Sequence, residues 1–284
     1  MIISLKDFNL KTIADSGQIF RFNKIDNIKT KSDVGSKKPK NDCPIYELIN
    51  QDKYLLIKDL GSNKFDFSCT KKEFDEFYTH YFDLDNNYNK YKKVALAKDT
   101  FLKSCMDYGK GLKILNQDPF EMLISFIISQ RKSIPAIKTS IERLSKACGK
   151  KMQFKDKTYY AFPTAMEIVK NKSKLSSCGL GYRLSYILEA SYKAMNHEID
   201  LDSYYKLSID ELHDKLLSIK GVGEKVASCI MLFAYHRIDI CPKDVWINRV
   251  IEKKYDGSIP KQYEKYQGII QQYWFYYAKD HKVF

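Results

Sequence analysis

Leu217-Ser218-Ile219-Lys220-Gly221-Val222-Gly223-Glu224-Lys225-Val226-Ala227-Ser228-Cys229 decides how this chain reads. An amphipathic stretch with Leu212, Leu216, Leu217 and Ile219 on its apolar face runs into a Gly-x-Gly turn, and a second apolar stretch, Val222 to Tyr235, runs out of it. Glycine adopts positive φ and carries no Cβ, so a turn of this kind lets another group approach the backbone closely. The helix start beyond it offers unpaired N–H groups and a partial positive charge, which suit a phosphate. Lys225 puts a primary amine in the first turn of that helix. Asp244 follows 19 positions later in Cys241-Pro242-Lys243-Asp244-Val245-Trp246. An amine nucleophile, a partner carboxylate and a phosphate-gripping turn point to chemistry at a sugar carbon of DNA.

The rest of the composition agrees with a polyanionic partner. Of 284 residues, 48 are basic and 35 acidic, a formal net charge of +13, and 44% are hydrophobic, enough for a substantial core. A Lys-rich composition alone would give the same sign, so charge by itself does not decide the partner. Only six basic residues are Arg: Arg21, Arg131, Arg143, Arg183, Arg237 and Arg249. In so Lys-biased a chain each Arg is a candidate for a role that needs its planar fork of donors. The seven Cys are odd in number and no two are separated by only two residues. That argues against a disulfide framework, a four-cysteine zinc site and an iron–sulfur cluster, and fits a reduced, cytoplasmic compartment. Met1-Ile2-Ile3-Ser4-Leu5-Lys6-Asp7 is charged too soon for a leader peptide, and no run of about 18 apolar residues suggests a membrane span.

Two regions are expected. Residues 1–108 read as an antiparallel β domain with helices, from the short segments Ile19–Phe22, Pro44–Ile49, Tyr54–Ile57 and Lys64–Ser68 between Gly, Asn and Asp. Residues 29–41 are polar and read as a mobile hairpin loop. A helix is expected after Thr70, with Glu73 completing a capping box. Residues 109–284 read as helical, giving an α+β chain overall. Asp118-Pro119-Phe120-Glu121 supplies an N-cap, Pro at N1 and an acid at N3 ahead of Met122–Ile128, a helix apolar nearly all round and therefore central. Ser208 and Glu211 form a capping box at the start of the hairpin region, about 208–235. Asp244 can N-cap the next helix, and a last long helix begins near Pro260.

The turn with Lys225 and the Pro-x-Asp beyond it resembles the helix-hairpin-helix DNA glycosylase superfamily. In that superfamily a lysine at the position of Lys225 implies a bifunctional enzyme. The amine attacks the anomeric carbon of a damaged nucleotide and expels the base; a Schiff base forms and β-elimination nicks the strand. Asp244 would stabilise the oxocarbenium-like transition state. Ser16-Gly17-Gln18-Ile19-Phe20-Arg21-Phe22, Asp118–Glu121, Gly179-Leu180-Gly181-Tyr182-Arg183 and Tyr266-Gln267-Gly268-Ile269-Ile270-Gln271-Gln272-Tyr273-Trp274-Phe275 resemble one subfamily more closely, the 8-oxoguanine DNA glycosylases. The resemblance implies that Phe275 stacks on a flipped base, Cys229 packs on its other face and Gln271 reads its Watson–Crick edge. It also implies that the Gly17 carbonyl accepts the N7–H that 8-oxoguanine has and guanine lacks. Two buried acceptors facing each other would cost guanine about 1–3 kcal/mol. Lys225/Cys229 and Gln271/Phe275 are both i,i+4 pairs, so two helix faces can wall such a slot. Taken singly, Phe275 and Cys229 fit a core and Gln271 a surface.

Gly221, Val222 and Gly223 would grip a phosphate, and Tyr182 and Arg183 would wedge into the vacated stack and meet the estranged base. Two departures concern the opposite strand: Arg131 stands where the family has a plugging Asn, and Ala136 where it has a second cytosine-reading Arg. Trp246 replaces a His near the abasic-site phosphate. No cofactor or metal is required; the resemblance adds a monovalent cation between hairpin carbonyls and a phosphate. The implied partner is double-stranded DNA containing 8-oxoguanine, bound by a monomer with no membrane association. The residues leave two alternatives open: a glycosylase of the same superfamily for another damaged base, and a non-catalytic DNA-binding protein that keeps the hairpin.

Overall fold

The computed structural model describes residues 1–25, 43–95 and 98–281; the expected loop at 29–41 lies outside them. Strands β1 Ile2–Ser4, β2 Phe22–Ile25, β3 Ile45–Asn50, β4 Lys53–Gly61 and β5 Lys64–Phe67 form one antiparallel sheet in the order β1-β5-β4-β3-β2. The short β1 was not legible from the sequence, and β2 begins where the expected Ile19–Phe22 strand was to end. Ile19 to Arg21 remain an irregular lead-in from the Gly17 turn. Helix α1 Leu10–Asp15 is capped by Asn9. Helices α2 Lys71–Glu73 and α3 Thr79–Tyr81 flank a π-helical Phe74–Tyr78. Thr70 caps α2 through the Glu73 N–H, but the Glu73 carboxylate pairs with Lys53 at 3.9 Å rather than closing the box.

The remaining helices are α4 Asn89–Lys92, α5 Thr100–Tyr108, α6 Pro119–Ser129, α7 Ile134–Cys148, α8 Ala165–Lys170, α9 Arg183–Met195, α10 Ile209–Leu217, α11 Glu224–Phe233, α12 Val245–Lys254 and α13 Gln267–His281. One feature interrupts the helical region: strands β6 Lys151–Phe154 and β7 Lys157–Tyr160 form a hairpin. Its turn passes through Lys155 at φ +50°. Tertiary packing explains it. Phe154 and Tyr159 close on Tyr54 of the large sheet at 4.7 and 5.0 Å, and Tyr159 Oη donates to the Asp52 carbonyl at 2.7 Å. The expected last helix starts later than Pro260, because Lys261–Tyr266 is a 3-10 segment leading into α13.

The sheet and α1 bury an aromatic core of Phe8, Phe22, Phe65, Phe67 and Phe82, while the helices surround a larger core built on α6. As its sequence demands, α6 is central. Asp118 accepts the Glu121 N–H at 2.7 Å, Pro119 occupies the first turn, and every residue from Glu121 to Ile128 is buried. The buried Glu121 carboxylate accepts the Gln51 N–H at 3.1 Å. Burial pushes its carboxyl up from 4.5 to about 7 against the pull of Arg21. The folded state therefore holds this proton more tightly than the unfolded chain. The resulting stability is complete below pH 4.5 and is lost as pH rises through about 7. Glu121→Gln should gain stability relative to the parent by roughly 3 kcal/mol across that interval. Urea unfolding at a series of pH values reads this; a pH-independent difference would show that folding does not bind the proton.

Candidate active site and DNA-facing surface

The hairpin is built as its residues require. Ser208 accepts the Glu211 N–H at 3.3 Å and Glu211 accepts the Ser208 N–H at 2.9 Å, closing the capping box of α10. The chain then turns through Gly221 at φ +86°, where a Cβ would lie 2.5 Å from the Tyr186 ring. Gly223 is the N-cap of α11 and gives it no side-chain cap, and a Cβ there would meet nothing within 4 Å. The first N–H groups of α11 are thus open to an anion on a side with room for one.

Lys225 projects from that first turn. Its Nζ lies 5.3 Å from the centre of the Phe126 ring of α6. Cys229 lies one turn on, its thiol pushed up by burial while the nearby amine pulls it down. Asp244 caps α12 by accepting the Ile247 N–H at 2.9 Å. Burial raises its carboxyl, opposed by the Ile247 N–H and the Lys225 charge. The two charges act at a distance: among the described residues they form no direct ion pair. A carboxylate held half-buried beside, but not on, an amine can stabilise cationic charge that develops between them.

Lys225, Cys229 and Asp244 line one cavity of about 290 Å³ together with Gly17, Trp246, Gln271 and Phe275. Elements far apart in the chain are brought together there. The Gly17 turn follows α1, the amine and thiol come from α11, Asp244 and Trp246 open α12, and Gln271 and Phe275 belong to α13. Gly17 adopts φ +80°, and a Cβ on it would sit 2.7 Å from Phe275 Cε1, so only glycine lets this turn close on that ring. Gln271 is 4% exposed and its Oε1 has no hydrogen-bond partner among the described residues, a buried acceptor left for a ligand.

Sequence reasoning missed the floor of this cavity. Phe126 stacks on Phe233 at 5.7 Å and meets Phe20 edge-on at 5.6 Å, and all three line it. Phe126 read only as part of an apolar helix, and nothing local marks which face of such a helix meets a cavity. Ser129, Lys132, Gln272 and Lys279 also line it and were not singled out.

A second groove, about 450 Å³, is lined by Gln130, Arg131, Tyr182, Tyr186 and the hairpin residues Gly221, Val222 and Gly223. Tyr182 is 50% exposed there. Arg131 is exposed at φ +51° and makes no hydrogen bond or ion pair among the described residues. Both its neighbours are anchored. Gln130 Nε2 donates to the Gly221 carbonyl at 2.9 Å, and Lys132 Nζ donates to Ser140 Oγ and the Gly179 carbonyl, both at 2.6 Å. Arg183 lies behind the surface, 6% exposed. It donates from Nε and Nη2 to the Gln130 carbonyl and from Nη1 to the Leu180 carbonyl, with its guanidinium 4.4 Å over the Tyr182 ring. Here it braces the turn that presents Arg131.

Residues 1–123 match the family described as 8-oxoguanine DNA glycosylase, N-terminal domain. The whole chain superposes on the Clostridium acetobutylicum 8-oxoguanine glycosylase/lyase, solved with double-stranded DNA containing cytosine opposite 8-oxoguanine. The TM-score is 0.84 and the identity 32%, over 100% of this chain and 99% of that one. A probable N-glycosylase/DNA lyase of Methanothermobacter thermautotrophicus is 30% identical over 197 residues, and the match spans 62% of this chain but only 61% of that protein. The Saccharomyces cerevisiae N-glycosylase/DNA lyase is 28% identical over 93% of this chain and 73% of its own length. The chain belongs to the 8-oxoguanine DNA glycosylase/lyase family of the helix-hairpin-helix superfamily.

Proposed function

We propose that this protein is a base-excision-repair enzyme that flips 8-oxoguanine out of duplex DNA, excises it and nicks the strand. The observation that carries the reading is the convergence of Lys225, Asp244, Cys229, Gln271, Phe275 and Gly17 on one cavity. The nitrogen lone pair of Lys225 attacks C1′ of the flipped nucleotide. The C1′–N9 bond breaks and its electron pair leaves with the base, which takes up a proton. The sugar ring opens to a Schiff base on Nζ. Loss of a C2′ proton then expels the 3′ phosphate oxygen by β-elimination. Asp244 faces the positive charge that builds on the sugar as the base departs. Phe275 and Cys229 sandwich the base, Gln271 addresses its Watson–Crick edge with the free Oε1 and its amide N–H groups, and the Gly17 carbonyl meets N7–H.

Gly221, Val222 and Gly223 hold a phosphate against the open start of α11, and Trp246 contacts DNA at the cavity mouth. A monovalent cation at the hairpin would share the Gly221 carbonyl with Gln130, which already donates to it. Tyr182 wedges into the stack and Arg131 fills the gap beside it. Arg183, buried behind this surface, supports the estranged-base contact by bracing the turn through the Gln130 carbonyl rather than by meeting the base itself. A cytoplasmic site of action belongs to the same reading. Among the described residues no helix is long and apolar enough to cross a membrane.

The test is borohydride trapping on an 8-oxoguanine duplex, where a covalent adduct is expected. DNA binding without any adduct would favour a binding module, and an adduct only with other lesions a different glycosylase. The position of Ala136 adds a prediction. With one cytosine-reading Arg absent, excision opposite C, A, G and T should be compressed by the worth of one bidentate contact, about 1–3 kcal/mol. Single-turnover rates on the four duplexes measure this; a strong preference for C would refute it.

A further inference from the structure

Two peptide planes meet at Gly17, one clamped directly and one steadied through its neighbour. The plane that follows it leads into Gln18, which is fully buried and tied down by its side chain and its own carbonyl. Gln18 Nε2 donates to Ser16 Oγ at 2.9 Å and to the Lys113 carbonyl at 2.7 Å, its Oε1 accepts the Leu115 N–H at 2.8 Å, and its own carbonyl accepts Gln117 Nε2 at 2.9 Å. The plane that precedes it is held from the other end of the chain. Gln272, 2% exposed, donates its side-chain N–H to the Ser16 carbonyl. Between these clamps the Gly17 carbonyl accepts no hydrogen bond among the described residues. The clamp residue is adjacent to Gln271 and lies on the same helix as Phe275.

We propose that Gln272 is a positioning residue for lesion recognition: it ties the Gly17 turn to α13 and so sets the spacing between the Gly17 carbonyl and the Gln271 amide. Helix α13 then carries one base-reading group and holds the other in register. The left-handed φ at Gly17 is what makes the clamp necessary. A glycine peptide is free to rotate, and an acceptor that swings loses its ability to tell a donor from a lone pair. The Gln272 side chain need not touch the base to do this. The inference rests on the reading of the slot given under the proposed function.

The experiment compares the affinity for 8-oxoguanine, guanine and tetrahydrofuran abasic-analogue duplexes. It uses proteins carrying Lys225→Gln so that the DNA is not cut, with and without Gln272→Met, which keeps length and apolar volume but loses the N–H donor. Gln272→Met should lower the 8-oxoguanine-to-guanine affinity ratio about tenfold while tetrahydrofuran binding, which needs no base reading, stays unchanged. Gln272→Ala repeats the comparison with a smaller side chain. A full ratio in the variants, or a drop of equal size on all three duplexes, would overturn the positioning role. Equal binding of 8-oxoguanine and guanine by the Lys225→Gln parent would sink the slot reading itself, and this inference with it.

Discussion

Lys225→Gln is expected to eliminate the borohydride-trapped adduct and to cut base excision by on the order of 10³-fold or more, while leaving affinity for lesion-containing duplex within a few-fold. Gln is one atom shorter than Lys but remains a polar side chain beside Phe126, whose ring centre lies 5.3 Å from Nζ in the parent, and its amide nitrogen has no lone pair able to attack C1′. The other two amines of the cavity are tied elsewhere, Lys132 to Ser140 Oγ and the Gly179 carbonyl and Lys279 to the Asp15 carbonyl. Cys229 is one turn away, but burial pushes its thiol up, and removing the neighbouring ammonium removes what opposes that shift. Asp244 survives the substitution with its cap to Ile247 intact, so a residue of electrostatic catalysis should remain. An adduct that persists in Lys225→Gln would mean that another amine does the chemistry. Lys132 and Lys279, which line the same cavity, would be the first to examine.

Gly17→Ala should lower affinity for the 8-oxoguanine duplex by about a hundredfold and global stability by about 1–2 kcal/mol. The two losses have separate causes. Holding an L residue at φ +80° strains the folded chain with or without DNA, which is the stability loss. The new methyl would also lie 2.7 Å from Phe275 Cε1 and 3.2 Å from Cζ, so the ring must tilt into the slot that the base would occupy, which is the affinity loss. That ring is half-buried and faces a cavity, so it can move, and the clash itself adds little to the cost of folding. Gly149 is the contrast: a Cβ there would meet the Ala161 carbonyl oxygen at 2.0 Å, a backbone clash that no side-chain motion relieves. The check is a binding titration with the Lys225→Gln background, paired with thermal unfolding. Unchanged lesion affinity would place the base somewhere other than between Phe275 and Cys229.

Signals with a span of a few residues were legible before any coordinates. The Asp118 and Ser208 caps, the Pro at the head of α6, the Gly-Val-Gly turn and the Lys225/Cys229 and Gln271/Phe275 spacings are all set by backbone geometry within one turn of helix, and each appears where its residues put it. The boundaries slipped where the signal was weaker: at the 3-10 entry to α13 and at Ile19 to Arg21, whose run looked like a strand. The β6–β7 hairpin escaped because its reason lies in Tyr54 and Asp52, about a hundred positions away.

The substrate class came from resemblance across scattered motifs; spacing and charge alone reached only amine chemistry on DNA. The sequence by itself determined the α+β character, the hairpin and which helix faces could wall a slot, because those depend on local propensity and periodicity. Tertiary structure alone decided that Phe20, Phe126 and Phe233 floor the slot, that Arg183 is buried behind the turn it braces, and that Gln272 holds Ser16 across 256 positions. Such contacts are chosen by which surfaces the folded core brings together, and no pattern within a window of sequence carries that information.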